Sequence, residues 1–336
     1  MAQNRVRIAD VADSLGLSTA TVSKVIHGKT EKISDETVKR VQQELERSGY
    51  IPNMAGILLA RNNSRIIGVV VNDNEKYEGR VLEDGFVMSS LNALSHEVNE
   101  KGYFLMIKTT SDISEIPVFA SMWNMDGLIL MGFCEADYEK LRNQMRISFV
   151  VYDGYFEKCS KVVNLVINHY DGGYHAGRYF RELGHKKALC IADNFICMDK
   201  ERIEGFSEAF GPGETLRWKI PRIEKERMRF YEDKYQALLE KHVTAVFAVS
   251  DFYALEFMRF LQGKNIRIPK DIQIIGFDDN MAGRESHPSL TTIHQEASLR
   301  AETAIKCLEA MRDGAECETE IVLPVELIKR ESTGEL

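Results

Sequence analysis

Residues 8–26 read IADVADSLGLSTATVSKVI, and this stretch decides how the chain begins to fold. Apolar residues recur at helical spacing on both sides of Gly16, as Ile8, Val11, Ala12 and Leu15 before it and as Val22, Val25 and Ile26 after it. Ser18 is a suitable N-cap for the second helix. Two helices joined by so tight a turn cross steeply with their apolar stripes together, so the outer face of the second helix is free to enter a groove.

That outer face carries small or polar side chains and one cation, which suit base edges and phosphates: Thr19, Ala20, Ser23, Lys24 and His27. Lysine to guanine is one of the commonest sequence-specific contacts, so Lys24 is the foremost candidate for base reading. The hydroxyls of Ser18, Thr21 and Ser23 can donate to phosphates, which fixes the register on DNA without reading its sequence. An ordinary surface helix pair is the alternative, because this pattern by itself has low specificity.

The continuation makes the pattern more specific. Ser34 can cap a third helix and donate to a phosphate, residues 35 and 36 place acids at the positive end of that helix, and Gly49 can end it. With DVA, TVS, the serine before helix three and GYxPN all in register, the segment resembles the amino-terminal part of the LacI (lactose-repressor) family of bacterial transcription regulators. The resemblance implies a helix-turn-helix DNA-binding domain over residues 1–50, and Asn53 of the PN motif joins its DNA-binding candidates.

Residues 51–64 are interpreted as a hinge. In the family, the segment after PN forms a short helix that pairs with its twin in a dimer and inserts a leucine into the minor groove, and Leu59 matches that leucine. This sequence departs from the pattern with Gly56-Ile57 in place of the usual Ala-Arg. Glycine costs roughly 1 kcal/mol of helix propensity, which predicts a hinge that is less stable or depends more on DNA to fold. The alternative is that residues 54–60 begin the core of the body, but the polar run over 61–65 favours a hinge.

Composition divides the chain into a basic head and an acidic body. The whole chain of 336 residues has a formal charge of −8 and is 44% hydrophobic, which is ample for buried cores. Residues 1–65 contain 10 Lys and Arg against 7 Asp and Glu, whereas the remainder contains 33 against 44. This asymmetry favours a protein that touches nucleic acid at one end only.

Several classes of protein are disfavoured by the sequence. The N-terminus has no apolar signal region and no run of about 18 apolar residues occurs, so we expect a cytoplasmic protein with no membrane partner. The six cysteines form no CxxC and no metal-ligand spacing, which predicts small buried apolar residues, no metal site and no cofactor. The sequence contains no GxSxG, GxxxxGK[ST], GxGxxG or HExxH motif, so no catalytic residues are assigned and an enzyme is not expected.

From residue 66, apolar runs alternate with amphipathic helices. Strands are predicted over 66–71, 103–108, 127–132, 148–153, 162–167, 188–193, 245–251 and 272–279, with helices over 86–102, 173–184, 251–263 and 297–314. Continuous β-branched runs separated by helices indicate parallel sheets covered on both faces. The prediction for residues 65–336 is therefore an α/β effector-binding and dimerisation domain made of two doubly wound parallel-sheet subdomains.

This part of the chain is similar to the effector domain of the LacI family, which has the architecture of periplasmic sugar-binding proteins. The similarity is carried by DGLIL, GGYHAGRYFRELGH, ERIEGF, VFAVSD, IPKDIQIIGFDD, PSLTTI and ELIKREST. It implies that Arg202 and Asp278 occupy positions that commonly bind effector, and that Asp153 and Ser250 do so less generally. An arginine fork with a carboxylate suits a neutral polyhydroxyl compound or a nucleobase.

Further residues are assessed as effector-binding candidates from their positions in the predicted structure. Ligands sit beyond the carboxyl ends of parallel strands, and this adds Asp73, after the first strand, to the effector candidates. Phe86 could stack on a ring, although a core position is nearly as good an explanation. Asp251 and Asp279 are expected to cap helices, and His169 is expected to be a structural group and not a ligand contact.

Together these features predict a dimeric repressor that binds double-stranded DNA. Two heads on a twofold axis predict a near-palindromic operator. A sugar or nucleobase-like effector in the cleft would change the setting of the two subdomains and shift DNA affinity, by release or by promotion of binding. The alternative is a regulator whose signal is a protein bound to the acidic body.

Overall fold

The fold is described from a computed structural model that covers residues 6–26, 28–50, 64–133, 141, 144–154, 162–211 and 213–335. The chain divides into two compact units, residues 1–64 and residues 65–336, which we call the head and the body. Each unit has its own hydrophobic core.

The head contains three helices within its described part: α1 (Ile8–Leu15), α2 (Thr19–Ile26) and α3 (Asp35–Ser48). Gly16 ends α1 with a φ of 63°, a left-handed conformation that glycine adopts without steric cost. The hydroxyl of Ser18 accepts from the amide of Thr21 at 3.1 Å, and that of Ser34 accepts from the amide of Thr37 at 3.3 Å. The apolar stripes predicted from the sequence meet in one small core of Val11, Ala12, Val22, Val25 and Val41.

The body is built on two six-stranded sheets. In the first sheet all neighbouring strands are parallel, in the order β11-β5-β4-β3-β1-β2. Its strands are β1 (Ile66–Asn72), β2 (Phe104–Thr110), β3 (Gly127–Met131), β4 (Phe149–Tyr152), β5 (Val162–Ile167) and β11 (Glu320–Leu323). We call this sheet and the helices packed on it the first lobe.

The second sheet has the order β12-β10-β9-β8-β6-β7, and only the pairing of β10 with β12 is antiparallel. Its strands are β6 (Ala188–Ala192), β7 (Thr215–Lys219), β8 (Ala245–Ala248), β9 (Gln273–Asp278), β10 (Thr291–Gln295) and β12 (Val325–Ile328). This sheet and its helices form the second lobe. The chain passes between the lobes three times, between β5 and β6, between β10 and β11, and between β11 and β12.

Helices connect the strands and cover the sheets, as expected for parallel β-sheets. Those of the described body are α4 (Gly85–Glu100), α5 (Glu115–Met122), α6 (His169–Glu182), α7 (Cys197–Phe210), α8 (Glu224–Glu240), α9 (Asp251–Gly263), α10 (Met281–Glu285) and α11 (Ala297–Arg312). Short 3₁₀ turns over Glu75–Tyr77 and Val81–Glu83 lie between β1 and α4. No helix among these is long and apolar enough to span a membrane.

The predicted α/β architecture is confirmed, whereas several elements escaped the sequence analysis. Four strands were not predicted: β7, β10, β11 and β12. Three of them, β7, β11 and β12, lie at sheet edges and are only partly buried, so they lack the continuous apolar run that marks a buried parallel strand.

Helices α6 and α7 approach each other unusually closely. A Cβ atom on Gly173 of α6 would lie 1.9 Å from the carbonyl oxygen of Arg202, and one on Gly205 of α7 would lie 2.0 Å from the carbonyl oxygen of Tyr170. Only glycine permits backbones to come this near. The two glycines therefore fix where Arg202 stands relative to the start of α6.

Candidate functional site

The outer face of α2 is the candidate DNA-reading surface. Thr19, Ala20 and Lys24 are exposed there, and Thr21 and Ser23 are half-buried. Ser18 and Ser34, which cap α2 and α3, are also exposed, and their hydroxyls lie 2.9 Å from those of Thr21 and Thr37, respectively, where either hydroxyl can donate. His27, Asn53 and Leu59, together with Gly56-Ile57, lie outside the described residues.

A polar cavity of about 170 Å³ opens between the two lobes of the body. The carboxyl ends of strands from both sheets meet there, as the topology requires. From the first lobe its wall takes Asn72, Asn74, Lys76, Tyr77, Asp84, Phe86, Gly132, Tyr152 and Asp153. From the second lobe it takes Asp193, Asn194, Ile196, Cys197, Met198, Asp199, Arg202, Arg222, Val249, Ser250, Tyr253, Asp278 and Gln295.

Five of the six residues expected to bind effector line this cavity: Phe86, Asp153, Arg202, Ser250 and Asp278. Asp73 is not among the lining residues, and its place is taken by the flanking Asn72 and Asn74. Successive side chains of an extended segment point to opposite sides, which explains why alternate residues reach the cavity. The structure thus transfers this candidate position from Asp73 to its two neighbours.

Arg202 is held rigidly in the cavity wall. Its Nε donates to Nδ1 of His169 at 3.1 Å, its Nη1 donates to the carbonyl oxygen of Val249, and its guanidinium lies 3.6 Å from the ring centroid of Phe277. The side chain is nearly fully buried. Stacking and hydrogen bonding of this kind preorganise a guanidinium for a ligand.

Asp153 lies at the centre of a buried network that spans both lobes. One of its carboxylate oxygens is 2.9 Å from Nε2 of His169 and 2.7 Å from Nη2 of Arg300. Burial opposes ionisation, yet Arg300 and His169 hold the pKa of the Asp153 carboxyl well below its usual range. Burial lowers the pKa of His169 to about 4, against the opposing charge of Asp153. A neutral His169 that accepts from Arg202 through Nδ1 carries its proton on Nε2 and donates it to Asp153.

A second arm of the network reaches Asp278. Arg300 Nη1 donates to the side-chain oxygen of Gln295 at 3.0 Å, and Gln295 Nε2 donates to Asp278 at 2.8 Å. Asp278 ends β9 with a φ of 117°, a strained conformation for a non-glycine residue, and such strain is typical of functional sites. Burial raises the pKa of its carboxyl well above the usual value. Asp153 is therefore connected to both Arg202 and Asp278.

Two assignments made from the sequence are corrected. Asp251 does not cap α9, because the hydroxyl of Ser250 accepts from the amide of Tyr253 at 3.4 Å and serves as the cap. The buried Asp251 carboxylate accepts instead from the amide of Asn280 and the hydroxyl of Thr292. Asp279 also caps no helix, since its carboxylate bonds instead to the guanidinium groups of Arg284 and Arg330 and to the ring of His294.

Sequence reasoning missed several residues of the cavity. Asp193 follows β6 as Asp153 follows β4, so its position at a strand end was a usable signal. Burial raises the pKa of the neighbouring Asp199 to about 6. Lys76, on the first 3₁₀ turn, places its ammonium 4.8 Å from the Tyr77 ring centroid and 5.9 Å from that of Tyr253. Tyr152 is the last residue of β4 and so also stands at a strand end, whereas no pattern in the sequence marks Lys76 or Tyr253.

Comparison with known proteins gives matches for both units. Residues 7–53 match the model of bacterial regulatory proteins of the lacI family, and residues 178–333 match that of a periplasmic binding protein-like domain. The HTH-type transcriptional repressor PurR of Pasteurella multocida (strain Pm70) is 30% identical over 340 residues, which are 97% of this chain and 98% of that protein.

Solved structures agree in fold. The lac repressor dimer bound to operator and the anti-inducer ONPF has a TM-score of 0.82 at 21% identity, over 98% of this chain and 99% of that chain. A periplasmic binding protein/LacI transcriptional regulator from Alkaliphilus metalliredigens QYMF, complexed with D-xylulofuranose, has a TM-score of 0.66 at 23% identity, over 80% of this chain and 99% of that one.

Head and body together define the class: a helix-turn-helix transcription regulator with a periplasmic-binding-protein-like body. The chain belongs to the LacI family of bacterial regulatory proteins. Its relatives are transcriptional repressors and not enzymes, in agreement with the class predicted from the sequence.

Proposed function

We propose that this regulator is a cytoplasmic, homodimeric repressor whose operator affinity is set by a small, uncharged, hydroxyl-rich effector bound between the lobes. The observation that carries the proposal is the buried network of Asp153, His169 and Arg202. It links Arg202, in the second-lobe wall of the cavity, through His169 to Asp153 in the first-lobe wall. A ligand that engages such a network binds one lobe arrangement better than another, which is the requirement for a switch.

The charges of the cavity support an uncharged ligand. Five acidic side chains line it, against the three cations Lys76, Arg202 and Arg222: Asp84, Asp153, Asp193, Asp199 and Asp278. Arg222 lies 3.4 Å from Asp193, and two of the nitrogens of Arg202 are used by protein acceptors. A phosphate or carboxylate would face these acidic side chains, whereas hydroxyl groups can both accept from arginine and donate to aspartate. The volume of about 170 Å³ suits a single ring better than two.

On DNA, we propose that α2 enters the major groove with Thr19, Ala20 and Lys24 nearest the bases. The hydroxyls of Ser18, Thr21, Ser23 and Ser34 would then donate to phosphates, with His27 and Asn53 close by and Leu59 of a hinge over 51–64 in the minor groove. Support comes from the exposure of the α2 face and from the family resemblance of the motif residues.

Exposed apolar side chains on the body support the homodimer. Met88, Phe104, Val118, Met122 and Met281 are all more than half exposed. Apolar surface of this kind marks protein interfaces, and a symmetric dimer would bring two heads to the two half-sites of an operator.

The test is selection of bound duplexes from a random library by the full chain, followed by melting-temperature measurements with D-ribose, D-xylulose, cellobiose and adenine. We expect a near-palindromic sequence and stabilisation by a one-ring polyhydroxyl compound, lost in Arg202→Ala. No preference for any duplex over random competitor, with or without cell extract, would contradict the repressor proposal. Normal operator binding without stabilisation by any of the four compounds would favour the protein-partner alternative.

A further inference from the structure

Two buried tyrosines face the interlobe cavity from opposite lobes. Tyr152 is the last residue of β4 in the first lobe, and Tyr253 lies in the first turn of α9 in the second lobe. They are 2% and 1% exposed, respectively. Both side chains belong to the wall of the cavity of about 170 Å³.

Their rings are held by cations while their hydroxyl groups lack partners. The guanidinium of Arg300 lies 4.1 Å from the ring centroid of Tyr152, and the ammonium of Lys76 lies 5.9 Å from that of Tyr253. Within the described part of the chain, neither phenolic oxygen has a hydrogen-bond partner, although both are buried. Buried hydroxyls are almost always bonded, so each exception calls for an explanation.

A third buried tyrosine shows the usual arrangement. Tyr231 is fully buried outside the cavity, and its hydroxyl lies 3.2 Å from a carboxylate oxygen of Glu256. Burial raises the pKa of both Tyr152 and Tyr253 above the ordinary value, so each remains a neutral phenol that can donate as well as accept. Tyr152 and Tyr253 thus differ from Tyr231 in two respects: they line the cavity, and their hydroxyls have no partner among the described residues.

We propose that Tyr152 and Tyr253 are effector-binding residues that hydrogen-bond hydroxyl groups on opposite sides of a monosaccharide, one from each lobe. This inference rests on the proposed function and assigns two contacts that the sequence did not indicate. Since the phenols come from different lobes, a ring held by both ties the lobes into one arrangement. Binding of the sugar and the change in the arrangement of the two lobes are then coupled.

The test compares Tyr152→Phe and Tyr253→Phe with Tyr231→Phe in the full chain. The probes are D-ribose, D-xylulose, D-glucose and D-galactose, and binding is measured by calorimetry with melting temperatures taken alone and with each sugar. For the sugar that binds the wild type best, we expect each cavity variant to lose about 3- to 10-fold in affinity, the equivalent of one hydrogen bond. Without sugar, their melting temperatures should equal or exceed that of the wild type, since an unpartnered buried hydroxyl has been removed.

Tyr231→Phe should show the reverse, a lower melting temperature with unchanged sugar affinity. Unchanged sugar affinity in both cavity variants would overturn the proposal, and so would a fall in their sugar-free melting temperatures like that of Tyr231→Phe. If none of the four sugars binds the wild type, the assignment of the phenols to a monosaccharide is wrong. Operator selection is measured separately, so a normal operator preference in that case would leave the DNA-binding function standing.

Discussion

Arg202 donates from Nε to Nδ1 of His169 at 3.1 Å, and this bond ties an effector-binding candidate to the crossover between the lobes. His169 begins α6, directly after β5 of the first lobe, whereas Arg202 lies in α7 of the second. The other ring nitrogen of His169 donates to Asp153 at 2.9 Å. A ligand that binds Arg202 therefore contacts a side chain that is linked, through His169, to Asp153 of the first lobe.

Replacement of His169 should separate sugar binding from operator binding. His169→Gln places an amide near Asp153 but removes the acceptor for Arg202, so we expect effector affinity to fall about 10-fold, by the loss of one charge-assisted hydrogen bond. Operator affinity without effector should be unchanged. His169→Asn keeps an acceptor near Nδ1 and should lose less. Calorimetry with the stabilising sugar and operator titrations check both, and equal losses in the two variants would refute the role of the Arg202 bond.

The free energy of unfolding should depend on pH because the pKa of His169 differs between the folded and the unfolded chain. Its pKa is about 4 in the folded chain against 6.5 for an unperturbed histidine, so between these values the unfolded chain binds a proton that the folded chain does not. The stabilisation is complete above pH 6.5 and is lost as the pH falls towards 4, by about 3 kcal/mol.

Asp199 and Asp251 have raised pKa values of about 6 and about 7, so their contributions change in the opposite direction with pH. The quantity to measure is therefore the difference in unfolding free energy between wild type and His169→Asn, obtained by urea titration at several pH values. The difference should shrink from pH 7 to pH 4. A constant difference over this range would show that folding leaves the pKa of His169 unchanged.

Gly173→Ala should damage the effector site through the backbone. The new Cβ would lie 1.9 Å from the carbonyl oxygen of Arg202, and a backbone atom cannot rotate away as a side chain can. Overpacking of this kind costs about 1–3 kcal/mol or more, and we also expect weaker effector binding because Arg202 is displaced. Gly263→Ala is the matched control, since nothing lies within 4 Å of its Cβ and alanine favours a helix. Thermal unfolding of both variants is the measurement, and equal melting temperatures would argue against the close contact.

Lys24→Ala should relax sequence reading by the head. Lys24 is exposed on α2, and loss of a lysine–guanine contact costs about 1–3 kcal/mol of discrimination at one base pair of each half-site. Lys39→Ala, which removes an exposed lysine from α3, should leave the preferred sequence unchanged. Duplex selection with each variant provides the comparison, and an unaltered preference in Lys24→Ala would assign that lysine to the phosphates.

The sequence predicted the parts of this protein that depend on local pattern. The head helices follow apolar spacing and caps, and Asp153, Ser250 and Asp278, which the family resemblance indicated, stand at or just beyond the ends of buried strands. Residues brought to the cavity by tertiary packing were not predictable in this way. Lys76 lies in a 3₁₀ turn and Tyr253 in the first turn of a helix, so neither residue could be predicted from its position at the end of a strand.

The hydrogen-bond partners of buried side chains were also not predictable from local sequence pattern. Asp251 has the sequence of a helix cap, yet it bonds to Asn280 and Thr292, which are about thirty and forty residues further along the chain. His169 was expected to be a structural group, and it is buried and bonded to both Asp153 and Arg202. Its connection of Arg202 to Asp153 depends on the glycine contacts between α6 and α7, which only the folded chain reveals.

Strands β11 and β12 follow one another near the carboxyl terminus, yet each completes the edge of a different sheet. A premature stop codon shortly before residue 320 would thus strip an edge strand from both lobes at once. Neither lobe is a contiguous piece of the gene, so neither can be exchanged between relatives by a single recombination event without breaking the other.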